Sequence, residues 1–241
     1  MLAIIVVFGL CGARSGAADA PLQLLYQDRL PYYTTAADGS VGGLVAGPVS
    51  KALRRAGIAV SWKVRPGKRQ IETIRNNRAA ACSPGWFKKP EREKFAKFSN
   101  TIYQDRPQVV IIRTTDLVNF KFSNLAALFA ARHHTFGAKL AYSYGGFVDD
   151  LIAEVKPKVQ RTPQDVQGMV HMLVGRRFDY MLAAQEEFRS LQANLPTVSD
   201  GITAVQMKDI PPGNKRYLMC SKKVGDDIMR RFNDALAALP R

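Results

Sequence analysis

Cationic and aromatic side chains gather in one short stretch of the sequence, residues 82–99, which read CSPGWFKKPEREKFAKFS. The stretch predicts a loop that opens with a Ser-Pro-Gly turn and carries Trp86 and Arg92, and Arg92 is one of its five basic residues. A guanidinium pairs with a carboxylate through two parallel hydrogen bonds, and an aromatic ring can stack on a cation or a polar ligand. The stretch therefore indicates either a solvated basic surface or the wall of a site for a carboxylate-bearing compound.

Other residues that could bind an anion lie where predicted strands meet loops and helices. Arg69 opens a predicted helix, Tyr32 lies in a loop after a strand, and the run 143–146 joins a strand to a helix with free backbone N–H groups. In open α/β sheets such loops line the crevice that binds ligands. The candidate ligand-binding residues are Arg92, Arg69, Tyr32, Trp86, Gly85, Ser83, Ser143, Tyr144 and Gly145.

Motifs for catalysis, metals and cofactors are missing from the sequence. There is no phosphate-binding loop, dinucleotide fingerprint, HExxH, GxSxG or CxxC. The paired acids are adjacent on predicted helices and so point about 100° apart, which favours solvated faces over acid–base pairs. We predict no catalytic residue, no metal site and no cofactor, although an unrecognised dehydratase or hydrolase stays open as an alternative. The paired acids are Asp149-Asp150, Glu186-Glu187 and Asp226-Asp227, and the histidines, which lack ligand spacing, are His133, His134 and His171.

The amino terminus predicts export. Residues 1–10, MLAIIVVFGL, form an apolar run too short to span a bilayer, and small residues follow it. We predict a signal peptide over residues 1–18 and a periplasmic location; a lipoprotein at Cys11 and a buried strand are the rival interpretations. Removal of the signal leaves Cys82 and Cys220, which an oxidising compartment allows to pair, but the sequence does not say whether they meet.

The formal charge of +15 is unevenly distributed. Residues 51–113 carry 16 Lys and Arg against 4 Asp and Glu, whereas residues 114–205 carry 9 against 9. Such a basic field suits nucleic acid, an anionic membrane surface, or an anionic ligand or partner. Export argues against nucleic acid, so we predict no nucleic-acid partner. A secreted protein that binds polyanions remains an alternative.

Short apolar runs alternate with amphipathic segments along the chain, which is typical of the α/β class. The β-branched run Val109–Ile112 predicts a strand buried on both faces, and the apolar stripe over Pro163–Val174 predicts a helix capped by Thr162 and ended by Gly175. The number of elements favours two lobes. The change in charge places a crossing between lobes near residues 106–113.

The order of these segments resembles that of the bacterial extracellular solute-binding proteins of family three, the polar-amino-acid type. The similar stretches are DRLPYYTTAADGSVGGLVAGPVSKALRRAGI, PEREKFAKFSNTIYQDRPQVVII, KLAYSYGGFVDDLI and MLVGRRFDYMLA. The resemblance implies a two-lobed periplasmic-binding-protein fold of type II, each lobe a mostly parallel sheet flanked by helices. It also implies two hinge strands, with lobe 1 over residues 19–108, lobe 2 over 109–207 and a return into lobe 1 over 208–241. A small polar solute and an inner-membrane ABC permease are the implied partners of a monomer without catalytic activity.

The resemblance also assigns roles to residues. Arg92 falls where family members place the arginine that pairs with the ligand α-carboxylate, Tyr144 and Gly145 fall at the second-lobe turn that touches it, and Tyr32 falls on the aromatic residue of the first loop. The chain departs from the family pattern in three places. Residues 43–47 contain no acid, Gly85-Trp86-Phe87 replaces small hydroxyl residues, and the acid for a ligand amino group is missing near Ala183 and Ala184, with Glu186 nearest. We therefore expect a small carboxylate-bearing solute, either an amino acid or a related compound.

Overall fold

The computed structural model of the protein describes residues 20–196 and 200–240. The predicted signal peptide over residues 1–18 lies outside the described residues. Two five-stranded sheets organise the described chain, and we call each sheet with its helices a lobe. Among the described helices, none has the length and apolar character needed to cross a membrane.

Lobe 1 is built on a sheet to which the two ends of the described chain contribute. Its strands in spatial order are β4 (Val60–Val64), β1 (Leu22–Tyr26), β5 (Ala81–Trp86), β12 (Lys215–Ser221) and β6 (Ala96–Gln104). A small hairpin, β2 (Thr34–Thr35) and β3 (Val41–Gly42), follows β1. The helices of this lobe are α1 (Ala46–Arg55), α2 (Gly67–Asn76), α3 (Pro90–Glu93) and α8 (Asp226–Ala237).

Lobe 2 is formed by the middle of the chain. Its strands in spatial order are β11 (Ile202–Val205), β7 (Gln108–Arg113), β10 (Tyr180–Ala184), β8 (Phe136–Lys139) and β9 (Val159–Thr162). A 3₁₀ turn covers Thr114–Asn119, and the helices are α4 (Leu125–Ala130), α5 (Gly146–Val155), α6 (Val166–Val174) and α7 (Gln185–Asn194). The chain passes between the sheets twice, from β6 to β7 and from β11 to β12.

Both sheets are mixed, so the prediction of mostly parallel sheets needs correction. Four of the eight strand pairings in the described sheets are parallel and four are antiparallel. The antiparallel pairings all involve β7 or β12, the strands through which the chain enters a sheet after crossing. A strand that enters directly from the other lobe has no crossover helix to reverse it, and so it runs against its neighbours.

The buried clusters explain why the predicted strands form. In β7, Val110 and Ile112 pack on one side of the sheet and Val109 and Ile111 on the other, as the unbroken apolar run predicts. In lobe 1, α1 and α8 cover the cluster that contains Cys82 and Cys220. These cysteines are direct partners in β5 and β12, and they form a buried disulfide with a Cα–Cα distance of 4.0 Å.

Two local predictions are wrong in their boundaries. Asp165, not Thr162, caps α6: its carboxylate accepts from the Gly168 N–H at 2.8 Å, and Thr162 ends strand β9 instead. The Ser-Pro-Gly run is no loop, because β5 continues through Trp86. Pro84 is tolerated there because the pairing of β5 with β12 shifts register between Tyr217 and Met219.

Candidate functional site

The site lies in the cleft between the two sheets, where loops after β1 and β5 face β8, β10 and α7. A small space of about 20 Å³, which we call the deep space, lies in the cleft. Beside it lies the wider cavity, of about 470 Å³. Ligand sites commonly occupy several hundred Å³, as the wider cavity does. The residues that line both spaces are Arg29, Lys139, Val166 and Glu187.

A column of alternating rings and guanidinium groups runs through the cleft. The Arg29 guanidinium lies 5.1 Å from the ring centre of Tyr32 and 5.0 Å from that of Tyr142. The Arg216 guanidinium lies 4.0 Å from the Tyr32 ring and 5.0 Å from the Phe87 ring. Tyr142 comes from lobe 2 and the other members from lobe 1, so cation–π contacts join the lobes.

Carboxylates neutralise both guanidinium groups of the column. Glu187 at the start of α7 lies 2.7 Å from Arg29, which also donates to the Tyr142 hydroxyl at 2.7 Å. Arg216 donates to Asp105 at 2.5 Å and to the Gly85 carbonyl at 3.1 Å. Burial is the largest single influence and lowers the pKa of Arg29, but Glu187, joined by Tyr142 and Tyr32, more than offsets it and holds this pKa above its usual value. Both arginines are therefore charged and fixed in position.

Glu186 joins the lobes beside the crossing. Its buried carboxylate accepts from the hydroxyl groups of Tyr32 at 3.4 Å and Tyr103 at 3.1 Å, and from the Arg106 N–H at 3.1 Å. Burial, assisted by the charge of Glu186, raises the pKa of Tyr103 to about 12. Both phenols therefore act as donors. Glu186 was the carboxylate that the sequence placed nearest the ligand, and in the structure protein groups already hold it.

Arg92 and Trp86 form a pair in the wall of lobe 1. The Arg92 guanidinium lies 4.8 Å from the Trp86 ring and donates to the Phe87 carbonyl at 2.8 Å. The indole N–H of Trp86 donates to Ser83 at 2.6 Å, and Ser83 donates to Gln70 at 2.5 Å. Ser83 is thus a buried structural partner of Trp86. Neither Arg92 nor Trp86 lines the two cavities.

Gly85 is required by its surroundings. Its φ of +84° is in the left-handed region, and a Cβ here would lie 2.2 Å from the Tyr33 hydroxyl oxygen. That hydroxyl donates to the Pro84 carbonyl at 2.6 Å, and burial raises the pKa of Tyr33 to about 12. Gly85 therefore lets Tyr33 close the floor of the cleft and leaves its own carbonyl free to bind Arg216.

The turn at residues 143–146 already carries an anion, the carboxylate of Asp149. Asp149 accepts from the Tyr144 N–H at 2.8 Å, from the Ser143 hydroxyl at 2.6 Å and from Lys89 of lobe 1 at 2.5 Å. Two of the backbone N–H groups that the sequence offered to a ligand, those of Tyr144 and Gly145, are therefore bound within the protein. Gly145 has φ +98°, and a Cβ would lie 2.2 Å from the Asn214 side chain, so this turn also packs against the second crossing.

Some sequence candidates come together and others do not. Tyr32 lies inside the column, Gly85 binds Arg216, and Tyr144 lines the deep space. Arg69 is exposed on α2 and lines neither cavity.

Sequence reasoning missed several charged or polar residues of the cleft. Arg29 lies in the loop after β1 and Lys139 ends β8, and such positions at strand ends could have identified both residues. Arg216 lies on β12, which comes from the far end of the chain. The missed residues are Arg29, Asp105, Gln108, Lys139, Tyr142, Glu187 and Arg216.

The three histidines of the chain lie in lobe 2. Over residues 20–196 and 200–240, no three His, Cys, Asp or Glu side chains cluster in a way that could hold an ion. The neighbouring rings of His133 and His134 lie 4.3 Å apart, and His134 packs edge-on against Phe122. These histidines therefore belong to the packing of lobe 2.

Solved structures share this architecture at low sequence identity. An ancestral arginine-binding protein bound to arginine matches with a TM-score of 0.70 and 16% identity, over 90% of this chain and 91% of that one. The amino acid ABC transporter substrate-binding protein AbpA from Streptococcus pneumoniae, bound to L-arginine, gives 0.68 and 15%, over 90% and 87%. A histidine kinase sensor domain with similarity to periplasmic binding proteins gives 0.71 and 14%, over 91% and 89%.

These likenesses confirm the predicted fold, a two-lobed α/β periplasmic-binding-protein fold of type II. None of the curated proteins compared matches the chain significantly. The sequence itself matches one family over nearly all of the described residues. Because that match extends over residues 24–241, the chain belongs to the bacterial extracellular solute-binding proteins, family 3.

Proposed function

We propose that this protein is a periplasmic solute-binding protein that closes its two lobes on a small polar, carboxylate-bearing solute and delivers it to an ABC permease. The observation that carries the proposal is the cleft itself. Fixed guanidinium groups and aromatic rings of lobe 1 face a lysine, a tyrosine and carboxylates of lobe 2 across one cavity. Such convergent polar groups in a mostly apolar cleft are typical of small-molecule sites.

Lobe closure is supported by polar contacts that cross the cleft. Lys89 of lobe 1 pairs with Asp149 of lobe 2 at 2.5 Å, and Arg29 pairs with Glu187 at 2.7 Å. Only two chain crossings connect the lobes in the described residues. A hinge of this kind allows rigid lobes to separate and close with few changes in backbone conformation.

Arg92 remains our proposed partner for the solute carboxylate in lobe 1. Among the described residues its guanidinium makes one hydrogen bond, to the Phe87 carbonyl, so further N–H donors stay available. Stacking on Trp86 holds the guanidinium plane in place. Burial lowers the pKa of Arg92, and Asp149 of lobe 2 is near enough to oppose that shift, which supports a position of Arg92 beside the opposite lobe.

The first test identifies the solute and then removes Arg92. Native mass spectrometry of protein purified from the periplasm identifies the bound compound, and calorimetry then measures its affinity for Arg92→Ala and for Arg69→Ala. Both variants lose an arginine from lobe 1, but Arg69 is exposed on α2, whereas Arg92 is half-buried and stacks on Trp86. We expect at least about tenfold weaker binding for Arg92→Ala, because a charge-assisted hydrogen bond is lost, and no change for Arg69→Ala.

Two outcomes contradict separate parts of the proposal. Equal affinity of Arg92→Ala and wild type means that Arg92 does not hold the solute. A protein that carries no small compound and shows no saturable binding is not a solute-binding protein. Steep salt dependence of binding to heparin would then favour a polyanion-binding protein.

The transport role is tested separately from binding. Family 3 members are mostly non-catalytic binders, so we expect the identified solute to be recovered unchanged after incubation; conversion would favour the enzyme alternative. A sensing role is the second candidate, because one matching structure is a histidine kinase sensor domain. Uptake of labelled solute by cells with and without the gene distinguishes transport from sensing. Loss of uptake in cells without the gene supports transport, and unchanged uptake favours sensing.

A further inference from the structure

Lys139 is the one cation lining the deep space that has no carboxylate partner in the described parts of the chain. It ends strand β8, is half-buried and lines both the deep space and the wider cavity. The other two cations of the deep space are paired, Arg29 with Glu187 and Arg216 with Asp105. A partly desolvated ammonium group without an ion pair is costly unless an anion joins it.

The nearby turn cannot take that role in this conformation. Asp149 already accepts from the Tyr144 N–H and the Ser143 hydroxyl, and Lys89 neutralises Asp149 from across the cleft. A second anion placed here would meet a carboxylate at hydrogen-bond range. The positive charge that lobe 2 presents to a ligand in the deep space is therefore that of Lys139.

Gln108 supplies a neutral acceptor in the same space. Its side-chain N–H donates to the Tyr144 carbonyl at 2.8 Å, which fixes the orientation of the amide. Its Oε1 is buried and finds no hydrogen-bond partner among the described residues. Buried acceptors in native proteins are nearly always paired, so this atom points to a donor supplied by a ligand or an ordered water.

The carboxylates that line the deep space or lie beside it are already bound to protein groups. Glu187 and Asp105 bind the two arginines, and Glu186 accepts from two tyrosines and a backbone N–H. A ligand ammonium group would have to share one of these carboxylates with a guanidinium or leave its site. Among the side-chain acceptors of the deep space, the amide oxygen of Gln108 has no hydrogen-bond partner in the described residues. A neutral amide oxygen suits a hydroxyl donor better than an ammonium ion.

We propose that Lys139 of lobe 2 binds the solute carboxylate together with Arg92 of lobe 1, and that Gln108 accepts from a hydroxyl group, so that the preferred solute is a small 2-hydroxy acid rather than the 2-amino acid of the same side chain. This inference rests on the proposed solute-binding function. The deep space of about 20 Å³ admits only the hydroxyl group, so the rest of the solute extends past Lys139 and Val166 into the wider cavity of about 470 Å³. There Leu30, Tyr33 and Leu191 offer apolar contacts to the solute side chain.

Calorimetry with matched pairs of compounds tests the inference. The probes are lactate with alanine, 2-hydroxyisovalerate with valine, and 2-hydroxyisocaproate with leucine, measured with wild type, Lys139→Met and Gln108→Glu. We expect wild type to prefer one hydroxy acid at least about tenfold over its amino partner, and Lys139→Met to lose that affinity at least about tenfold. Gln108→Glu, nearly isosteric, should reverse the preference because a carboxylate favours an ammonium group.

Controls and outcomes separate this inference from the proposed function. Lys121→Met removes an exposed lysine of lobe 2 and should bind like wild type, and circular dichroism checks that each variant is folded. Preference of wild type for an amino acid overturns the inference but leaves the solute-binding function standing. The same holds if no probe binds while mass spectrometry finds a co-purified compound of another class. Absence of any bound or saturable small compound overturns both.

Discussion

The two lobes differ in charge, and the difference bears on how they meet across the cleft. Lobe 1, residues 20–107 and 208–240, carries 23 Lys and Arg against 10 Asp and Glu, whereas lobe 2, residues 108–207, carries 10 against 9. Across the cleft, Arg29 and Lys89 of lobe 1 meet Glu187 and Asp149 of lobe 2. Lobe 1 thus presents cations to an approaching anion, and lobe 2 presents acids to those cations when the lobes meet.

The lobes also differ in how their cleft strands are held. In lobe 1 the disulfide joins β5 and β12, the strands that carry Gly85 and Arg216. In lobe 2 the described strands are held by packing on both faces and by hydrogen bonds. The disulfide therefore makes lobe 1 the more rigid scaffold for charge, while lobe 2 holds Lys139 and Gln108, to which we assign the selectivity.

Removal of the disulfide should produce the largest effect and reduce the difference in rigidity. In the double variant Cys82→Ala with Cys220→Ala, we expect the free energy of unfolding to fall by about 4–5 kcal/mol, because the link closes a loop with a sequence separation of 138 residues. Urea unfolding measures the change, and wild type reduced during unfolding provides the control. A loss below about 1 kcal/mol would contradict a stabilising role.

Disruption of the buried pair in lobe 1 should follow in size. Side-chain exposures of 5% for Arg216 and 4% for Asp105 leave little water to compensate a lone charge. Arg216→Met should therefore lower the free energy of unfolding by on the order of 3–5 kcal/mol. The double variant with Asp105→Leu should recover much of this loss, since no buried charge remains. No recovery would mean that Arg216 acts mainly through its contacts with Tyr32 and Phe87.

Loss of the charge of Asp149, which binds the turn at residues 143–146 from helix α5, should weaken the contact between the lobes. Asp149→Asn keeps the shape of the side chain but loses the charge that binds Lys89. The side chains of Asp149 and Lys89 are 26% and 21% exposed. We expect a loss of about 1–2 kcal/mol in stability and a larger radius of gyration in X-ray scattering, because the turn also loses a charged acceptor. Asp150→Asn, at the exposed neighbouring residue, should change neither quantity. Equal scattering of both variants would exclude the Lys89–Asp149 contact as a closing interaction.

The pH dependence of Lys139 should give the smallest effect. Burial, joined by the nearby charge of Arg29 and opposed by Asp165 and Glu187, lowers the pKa of Lys139 from its usual 10.5. Between the lowered and the usual pKa the unfolded chain binds more protons, so the free energy of unfolding rises with pH there. Anion affinity should fall over the same interval as the ammonium group loses its charge. Calorimetry and thermal unfolding in alkaline buffers measure both trends, which Lys139→Met should lack.

Local patterns predicted well wherever burial alone decides the structure. The apolar run Val109–Ile112 became a strand buried on both faces, and Gly175 ended α6 as expected. The predicted start of helix α6 was wrong because two residues, Thr162 and Asp165, both suit the capping position. The pairing of β8 with β9 drew Thr162 into a strand.

The candidate site was predicted only in part, because its charges come from distant segments. Tyr32 and Gly85 were identified, but the residues they contact, Arg216 and Glu186, lie more than a hundred positions away along the chain. The turn at Ser143–Gly146 was predicted to bind an anion, and it does bind one, but the anion is Asp149. Sequence spacing alone does not reveal whether such groups are free or already satisfied.

The sequence by itself determined the α/β class, the family and the concentration of positive charge in the first part of the chain. These properties depend on local periodicity and composition, which need no knowledge of distant contacts. Only the tertiary structure decided that Cys82 meets Cys220, that Arg29 and Arg216 stack on Tyr32, and that Lys139 stays without an ion pair in the described residues. Those outcomes depend on which strands become neighbours after the chain crosses twice between the lobes.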